Sequence, residues 1–367
     1  MPSLFEPLQI GPLTLRNRIG LSPMCQYSAV EGVANDWHRI HLARYAAAGL
    51  GVLFVEATHV TRQGRITPGC LGLWTDEQGE AIAGILKVIR GIDPEVKLGI
   101  QLAHSGRKGS ADLPWKGGKP LQDGTAWETV APSALPHDEG WPVPRALEAG
   151  ELKAIVEAFV ASAKRALAAG FDVVELHGAH GYLIHTFLSP VSNHRTDAYG
   201  GTREKRMRFP LEVASAVRAI WPKDRAFGLR LSGQDYLDGG MTVDDTVAFA
   251  RELKGIGADF LDISGGGIWP SKLKVTVGPG YQVPSAERVK AEIGLPTFSV
   301  GMILDGKQAD EIVSSGKADA VLVGRGHLRE PFWVWRAAEA LGVKHFCPPQ
   351  YLRSHESSRR TILAQKG

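Results

Sequence analysis

Cysteine is scarce. The 367 residues contain three, Cys25, Cys70 and Cys347, far apart in the chain. That spacing provides no CxxC metal pair and no disulfide framework, and it cannot ligate an iron–sulfur cluster. A reducing, cytoplasmic compartment is expected. An excess of one charge is also missing. The 42 basic and 39 acidic residues leave a formal net charge of +3, too balanced for a nucleic-acid or membrane-surface protein. Long apolar runs are absent as well. The longest, residues 46–57, is broken by Gly49 and Gly51 and is too short to span a bilayer. The N-terminus, MPSLFEPLQIGPLTLRNR, has no apolar stretch behind a basic start, so no signal peptide is expected. Glycine (43) and proline (22) are plentiful, which suits many short turns. The 44% hydrophobic and 22% charged fractions are ordinary for a globular chain. Its length admits two ordinary domains or one large barrel.

Short β-branched runs alternate with amphipathic stretches. Eight runs read as strands: residues 18–23, 51–58, 97–103, 171–177, 226–232, 259–264, 296–301 and 318–323. Helical patterns follow them, at about 36–48, 76–91, 147–169, 202–221, 242–257, 285–293, 305–315 and 331–341. Asp36, Thr242, Ser285 and Asp305 can serve as N-caps, and Gly49, Gly170, Gly257 and Gly316 as helix stops. Eight strand–helix units with nearly continuous apolar strands fit an α/β fold, a closed (β/α)8 TIM barrel. No G-x-G-x-x-G turn supports the rival doubly wound sheet. One domain over residues 1–367 is expected. Residues 1–17 form a short N-terminal hairpin cap, turning at Gly11-Pro12, that plugs the barrel bottom. Residues 105–146 form a long loop after strand three with no periodicity, the mark of a lid or insertion. Its three tryptophans, Trp115, Trp127 and Trp141, argue for packing. Residues 347–367 form a C-terminal tail, polar and basic past Arg353.

In such a barrel the chemistry belongs at the C-terminal strand ends. Strands seven and eight end in Gly301 and Gly324, followed by Arg325. Bare backbone there admits a phosphate, and a guanidinium adds a charge-assisted contact. Strand four ends in His177, His180 and Tyr182. The histidines could hold a metal with Glu175 or His104. They could instead grip and polarise a substrate oxygen, with the phenol delivering a proton. Cys25 follows strand one, either as a reactive thiol or as a small packed residue. Gln101 and Arg230 are expected to point into the mouth from opposite sides, suiting the edge of a flat heteroaromatic ligand. Glu56 and Glu175 leave open a barrel glycoside hydrolase with a carboxylate pair. Gly324 and Arg325 alone would make a non-catalytic phosphate-ligand binding barrel.

The runs SPMCQY (22–27), VEAT (55–58), IQLAHSGRK (100–108), ELHGAHGYLIHTFLSPVSNHRTDAYGG (175–201) and VGRGHLREPF (323–332) resemble the Old Yellow Enzyme family of flavin-dependent ene-reductases. They are most similar to its bacterial branch of NADPH dehydrogenases and xenobiotic reductases, and the resemblance covers nearly the whole chain. It implies FMN as cofactor and NADPH or NADH as hydride donor. Ser22, Pro23, Met24, Cys25, Ala57, Gln101 and Arg230 would border the flavin ring, and Gly301, Gly324 and Arg325 would hold its phosphate. His177 and His180 would bind the oxygen of an activated alkene, an α,β-unsaturated carbonyl or nitro compound. Tyr182 would donate the proton, and Tyr27 would close over the substrate. Cys25, threonine in yeast-type enzymes, would tune the flavin rather than attack substrate. The segment around Tyr351 and Arg353 resembles one that inserts an arginine into a neighbouring subunit's site, implying a homodimer or homotetramer. The xenobiotic reductase pattern has a tryptophan after strand seven where this chain has Met302.

Overall fold

The computed structural model describes residues 3–354. The expected tail beyond Ser354, like the first two residues of the cap, lies outside the described residues. A 3-10 turn at Ser3–Phe5 leads into β1 (Leu8–Ile10) and β2 (Leu13–Leu15), which pair antiparallel across Gly11 and Pro12. Gly11 has φ 54°, and a Cβ there would meet the Asp259 carboxylate at 2.3 Å. Glycine is the residue that fits such a turn.

The barrel strands follow: β3 (Ile19–Leu21), β4 (Val52–His59) and β5 (Lys97–Ala103). Two short strands, β6 (Val130–Ala131) and β7 (Arg145–Ala146), pair with each other outside the barrel. Then come β8 (Val173–Gly178), β9 (Ala226–Ser232), β10 (Phe260–Ser264), β11 (Thr297–Ser299) and β12 (Ala320–Val323). β3, β4, β5, β8, β9, β10, β11 and β12 close in chain order into an all-parallel barrel. The first and seventh strands are shorter than their apolar runs. Ser22-Pro23 and Val300-Gly301 lie past the ladder, in the loops above the barrel.

The helices are α1 (Asp36–Ala46), α2 (Asp76–Ile92), α3 (Ala149–Ala169), α4 (Leu183–Leu188), α5 (Arg203–Ile220), α6 (Val243–Ile256), α7 (Val283–Ile293), α8 (Gly306–Ser314), α9 (Arg325–Arg329) and α10 (Trp333–Leu341). The short α4 and α9 were not evident in the sequence pattern. Thr242 and Asp305 cap α6 and α8 through their side chains, and Gly170 and Gly257 close α3 and α6 in the left-handed conformation. Two expected caps are corrected. The N-cap of α1 is Asn35, whose side chain accepts from the Trp37 amide at 3.1 Å, with Asp36 already helical. α7 begins at Val283, ahead of Ser285. Pro284 sits in its first turn, where a missing N–H costs nothing.

Two apolar layers set the architecture. One lies between strands and helices. The other fills the lower lumen, where Leu8, Ile10 and Leu15 of the hairpin pack with Val52, Phe54, Phe260 and Phe298. The rings of Phe260 and Phe298 stack at 5.0 Å. This end of the barrel is therefore sealed with hydrocarbon, and polar side chains collect at the other. The loop over 105–146 leans across that polar mouth. Trp115 meets Tyr27 edge-on at 6.0 Å, and Trp141 packs on the cluster that Cys25, Tyr27 and Tyr182 also touch.

Candidate active site

β8 and the turn after it carry the densest chemistry. The His177 Nδ1 accepts from the Ala179 amide at 3.2 Å, so its ring proton sits on Nε2. That Nε2 lies 3.3 Å from His180 Nδ1, and His180 Nε2 lies 2.7 Å from the Ser264 hydroxyl at the end of β10. His180 holds a left-handed φ of 60°. Its amide donates to Ser232 Oγ at 3.1 Å. Gly181 follows with φ 76°, and a Cβ there would meet the Gly267 carbonyl at 2.3 Å. Tyr182 sits just before α4, its ring perpendicular to His177 at 4.6 Å. Lys108 completes the group. Its Nζ donates to the His180 carbonyl at 2.6 Å and lies 4.6 Å from the centre of the Tyr182 ring.

Burial, reinforced by the Arg230 and Lys108 charges, holds His177 and His180 well below the usual histidine range. Both are neutral N–H donors at neutral pH. Burial pushes the Tyr182 phenol up, so it keeps its proton. Burial, and then the neighbouring Arg107, lower Lys108 to about 8.

Beneath this turn lies a buried polar floor. Gln101 Nε2 donates to Glu175 Oε1 at 2.7 Å, and Arg230 Nε lies 4.0 Å from the same oxygen. Gln101 and Arg230 therefore do not approach from opposite sides. β5, β8 and β9 are consecutive in the barrel, with Gln101 level with Glu175 and His177 level with Arg230. The two side chains share one arc, bridged by Glu175. Arg230 also donates to Asp262 at 2.5 Å and to Ser22 Oγ at 3.1 Å. Burial, then the Asp262 charge, raise Glu175 well above the carboxylate range. Glu175 thus holds a proton, and Asp262 balances the guanidinium.

On the β3 side, Ser22, Pro23, Met24 and Cys25 form a loop held by Glu56. The register between β4 and β5 skips Glu56, so Ala57 stands level with Gln101. This bulge sends Glu56 toward α1, where it lies 3.3 Å from His38 Nε2 and accepts from the Gln26 amide at 2.9 Å. Glu56 and Glu175 share no partner among the described residues: Glu56 is engaged at α1, and Glu175 with Gln101 and Arg230. Burial, then the Glu56 charge, raise Cys25 well above its ordinary value. It is a thiol rather than a thiolate. Cys70, remote in sequence, belongs to the same cluster. Tyr27 is likewise raised by burial and takes a left-handed φ of 51°.

Gly301 has φ 107°, and a Cβ there would crowd the Gln282 side chain at 2.9 Å. A Cβ on Gly324 would face Met24 Sδ and the Ser22 side chain, which puts the end of strand eight beside the end of strand one. Arg325 is exposed and makes no ion pair among the described residues. Arg353 is exposed in the 3-10 turn at Pro349–Ser354, where Tyr351 packs edge-on against Phe332 and Trp335. Lys108, Ser232, Ser264, His185, Asp235 and Asp262 are site residues that were not among the candidates expected from sequence. Lys108 and Ser264 did lie in strand-end runs, the one signal available for them. Among the described residues no cluster of His, Cys, Asp and Glu could hold a metal ion, and no helix is long and apolar enough to cross a membrane.

The NADH:flavin oxidoreductase / NADH oxidase family model matches residues 3–343. The chain is 43% identical over 352 residues to an NADPH dehydrogenase of Geobacillus thermodenitrificans (strain NG80-2), covering 95% of this chain and 98% of that one. It is 41% identical over 352 residues to an NADPH dehydrogenase of Bacillus subtilis (strain 168), with the same coverage. Among solved structures it is similar to morphinone reductase at 29% identity and a TM-score of 0.78, covering 95% of this chain and 92% of that one. With the closed barrel and the strand-end site, these matches show that the chain belongs to the NADH:flavin oxidoreductase / NADH oxidase family, the Old Yellow Enzyme family, as an FMN-dependent NAD(P)H oxidoreductase.

Proposed function

We propose that this oxidoreductase is an ene-reductase, acting on the C=C bond of α,β-unsaturated carbonyl or nitro compounds. The observation that carries the proposal is the convergence of the buried His177 Nε2 and the half-buried His180 Nδ1, 3.3 Å apart, with the Tyr182 ring 4.6 Å from His177. Two neutral rings that converge on one point, each able to present an N–H there, suit a carbonyl or nitro oxygen on which negative charge grows. A protonated phenol beside them suits delivery of a proton to the neighbouring carbon. Tyr27, backed by Trp115, is proposed to close over the substrate, with the 105–146 loop as the lid.

The residues fit FMN. An amide (Gln101), a guanidinium (Arg230) and a hydroxyl (Ser22) stand together at one end of the mouth, the donor set for a heteroaromatic edge. Pro23, Met24, Cys25 and Ala57 are proposed to line the same ring. The bare backbone of Gly301 and Gly324, with Arg325, which makes no ion pair among the described residues, suits the phosphate. When bound, FMN supplies the hydride, which it receives from NADPH or NADH. The chain's own part is to orient the alkene through His177 and His180, stabilise charge on its oxygen and hold the Tyr182 proton in place. A thiol held protonated at Cys25 tunes the flavin and does not attack the substrate. Arg353 is proposed to reach a neighbouring subunit in a cytoplasmic homodimer or homotetramer.

The test is anaerobic. Holoenzyme reduced with one equivalent of NADPH is mixed with 2-cyclohexen-1-one. Rapid reoxidation with formation of cyclohexanone is expected. Enzyme that stays reduced with the enone yet reoxidises with a quinone refutes the alkene as substrate.

A further inference from the structure

We propose that Ser264 is a positioning residue that lets His180 change tautomer, by pairing with its Nε2 in either form, so that both histidines can present an N–H to one ligand oxygen. The inference rests on the ene-reductase reading above and deepens it. His177 has no choice of tautomer. The Ala179 amide donates to its Nδ1 at 3.2 Å, and a backbone N–H can only donate, so the proton is on Nε2. Among the described residues no backbone group hydrogen-bonds to the His180 ring. Its Nδ1 faces His177 Nε2 at 3.3 Å, and its Nε2 faces Ser264 Oγ at 2.7 Å. A hydroxyl can donate or accept, so Ser264 can serve either tautomer.

Without a ligand the bonds run one way. His177 Nε2–H donates to His180 Nδ1, and His180 Nε2–H donates to Ser264 Oγ. In that state His180 offers a ligand oxygen a lone pair, which repels it. A ligand oxygen between the two rings requires a proton on His180 Nδ1. His180 Nε2 is then bare against the buried Ser264 side chain, and needs a donor. Rotation of the Ser264 hydroxyl supplies one. The Nε2 proton leaves to water and a water molecule returns one to Nδ1 as the ligand oxygen enters, so the change is an isomerisation with no net charge.

Three further observations support the assignment. Burial keeps His180 neutral, whereas a doubly protonated ring would offer Nδ1–H whatever Ser264 did. Ser264 is 4% exposed, so bulk water does not take its place. The backbones on both sides are pinned: the Gly233 amide donates to the Ser264 carbonyl at 2.8 Å, and the His180 amide donates to Ser232. The hydroxyl can turn without the chain moving.

The experiment uses oxidised holoenzyme labelled with 15N-histidine, with 2-cyclohexen-1-one as probe. Long-range 1H–15N spectra report the protonated nitrogen of each ring. His177 is expected as the Nε2–H form throughout, and His180 as Nε2–H when free and Nδ1–H with the enone. Ser264→Ala removes the donor that the Nδ1–H form needs, so it should hold His180 in the Nε2–H form and weaken enone binding by at most about tenfold, the scale of one neutral hydrogen bond, less what the free Nε2–H form loses with the same hydroxyl. Ser264→Thr, which keeps the hydroxyl, should restore both. Enone binding that shifts both histidine signals but is indifferent to Ser264→Ala overturns this inference alone. A His180 tautomer that is the same free and bound, read on the unaltered protein, also overturns it. Holoenzyme that takes up no enone overturns the ene-reductase reading, and this inference falls with it.

Discussion

His185 Nε2 lies 2.9 Å from Asp235 Oδ1, and both side chains are completely buried. The other edge of the imidazole accepts the Gly181 amide at 2.8 Å. The other carboxylate oxygen accepts the Ser189 hydroxyl and the Met241 amide, each at 2.6 Å. This pair therefore ties the turn bearing His180 and Tyr182 to the loop after β9. Two consecutive left-handed residues, His180 and Gly181, need such support to persist. Burial opposes ionisation of Asp235, but the His185, Ser189 and Met241 contacts outweigh it and hold the carboxyl below its ordinary value.

The first prediction follows from that pair. Asp235→Ala should cost on the order of 3–5 kcal/mol, because it leaves the His185 Nε2–H, the Ser189 hydroxyl and the Met241 amide buried without their acceptor. Because the folded carboxyl is depressed, its stabilisation is present above the ordinary aspartate range and lost as pH falls through the folded value. Urea unfolding followed against pH should show that acid-side loss in the parent and a flatter curve in the variant. A variant as stable as the parent at neutral pH would remove the support from the dyad.

Tyr182→Phe keeps the ring that packs on His177 and Lys108 and deletes only the hydroxyl. Reoxidation of reduced enzyme by 2-cyclohexen-1-one should slow by about 10²-fold or more, the usual range for loss of a general acid. Reduction by NADPH needs no such proton and should change little. Stopped-flow traces of the two half-reactions decide the matter, and equal slowing in both would contradict the proton-donor role.

Most of the barrel was legible because the signal is local. Buried parallel strands such as Lys97–Ala103 and Ala226–Ser232 are apolar runs with clear ends. The strand-end residues were legible for the same reason, since His177, His180 and Tyr182 sit together in one run. What escaped depends on partners far along the chain. Ser264 matters because His180 lies against it, 84 positions away. Asp235 matters because α4 brings His185 to it. Glu56 is turned outward by a bulge that leaves no mark in the sequence. The placing of Gln101 and Arg230 failed on geometry, since strands three and five are separated by a single strand and cannot face one another across the barrel.

The hairpin plug gives a prediction about stability alone. Ile10 is 0% exposed and packs in the lower lumen with Phe54, Phe260 and Phe298. Ile10→Ala should destabilise the protein by about 2–5 kcal/mol, the range for a large-to-small change in a core that cannot collapse. The site lies at the other end of the barrel, so enone affinity of the folded variant should be unchanged. Thermal unfolding and a binding titration on one preparation separate the two effects. Loss of affinity without loss of stability would mean that the plug reaches the site.

The Lys108 ammonium lies over the Tyr182 ring with its donor on the His180 carbonyl, and its pH dependence has a definite sign. Burial, then Arg107, lower it to about 8 from an ordinary 10.5. Between those values the unfolded chain binds the extra proton, so stability should rise with pH through that window. Catalysis should move in the opposite direction. Below about 8 a positive charge beside the phenol eases departure of its proton. Above that value the charge is gone, and reoxidation by the enone should slow. His177 and His180 are already neutral and add no step in the usual histidine range. Lys108→Met keeps the bulk and removes the charge, so its reoxidation rate should be lower and flat across the inflection. If the inflection survives the substitution, the titrating group is another one and the ammonium has no part in setting the acidity of Tyr182.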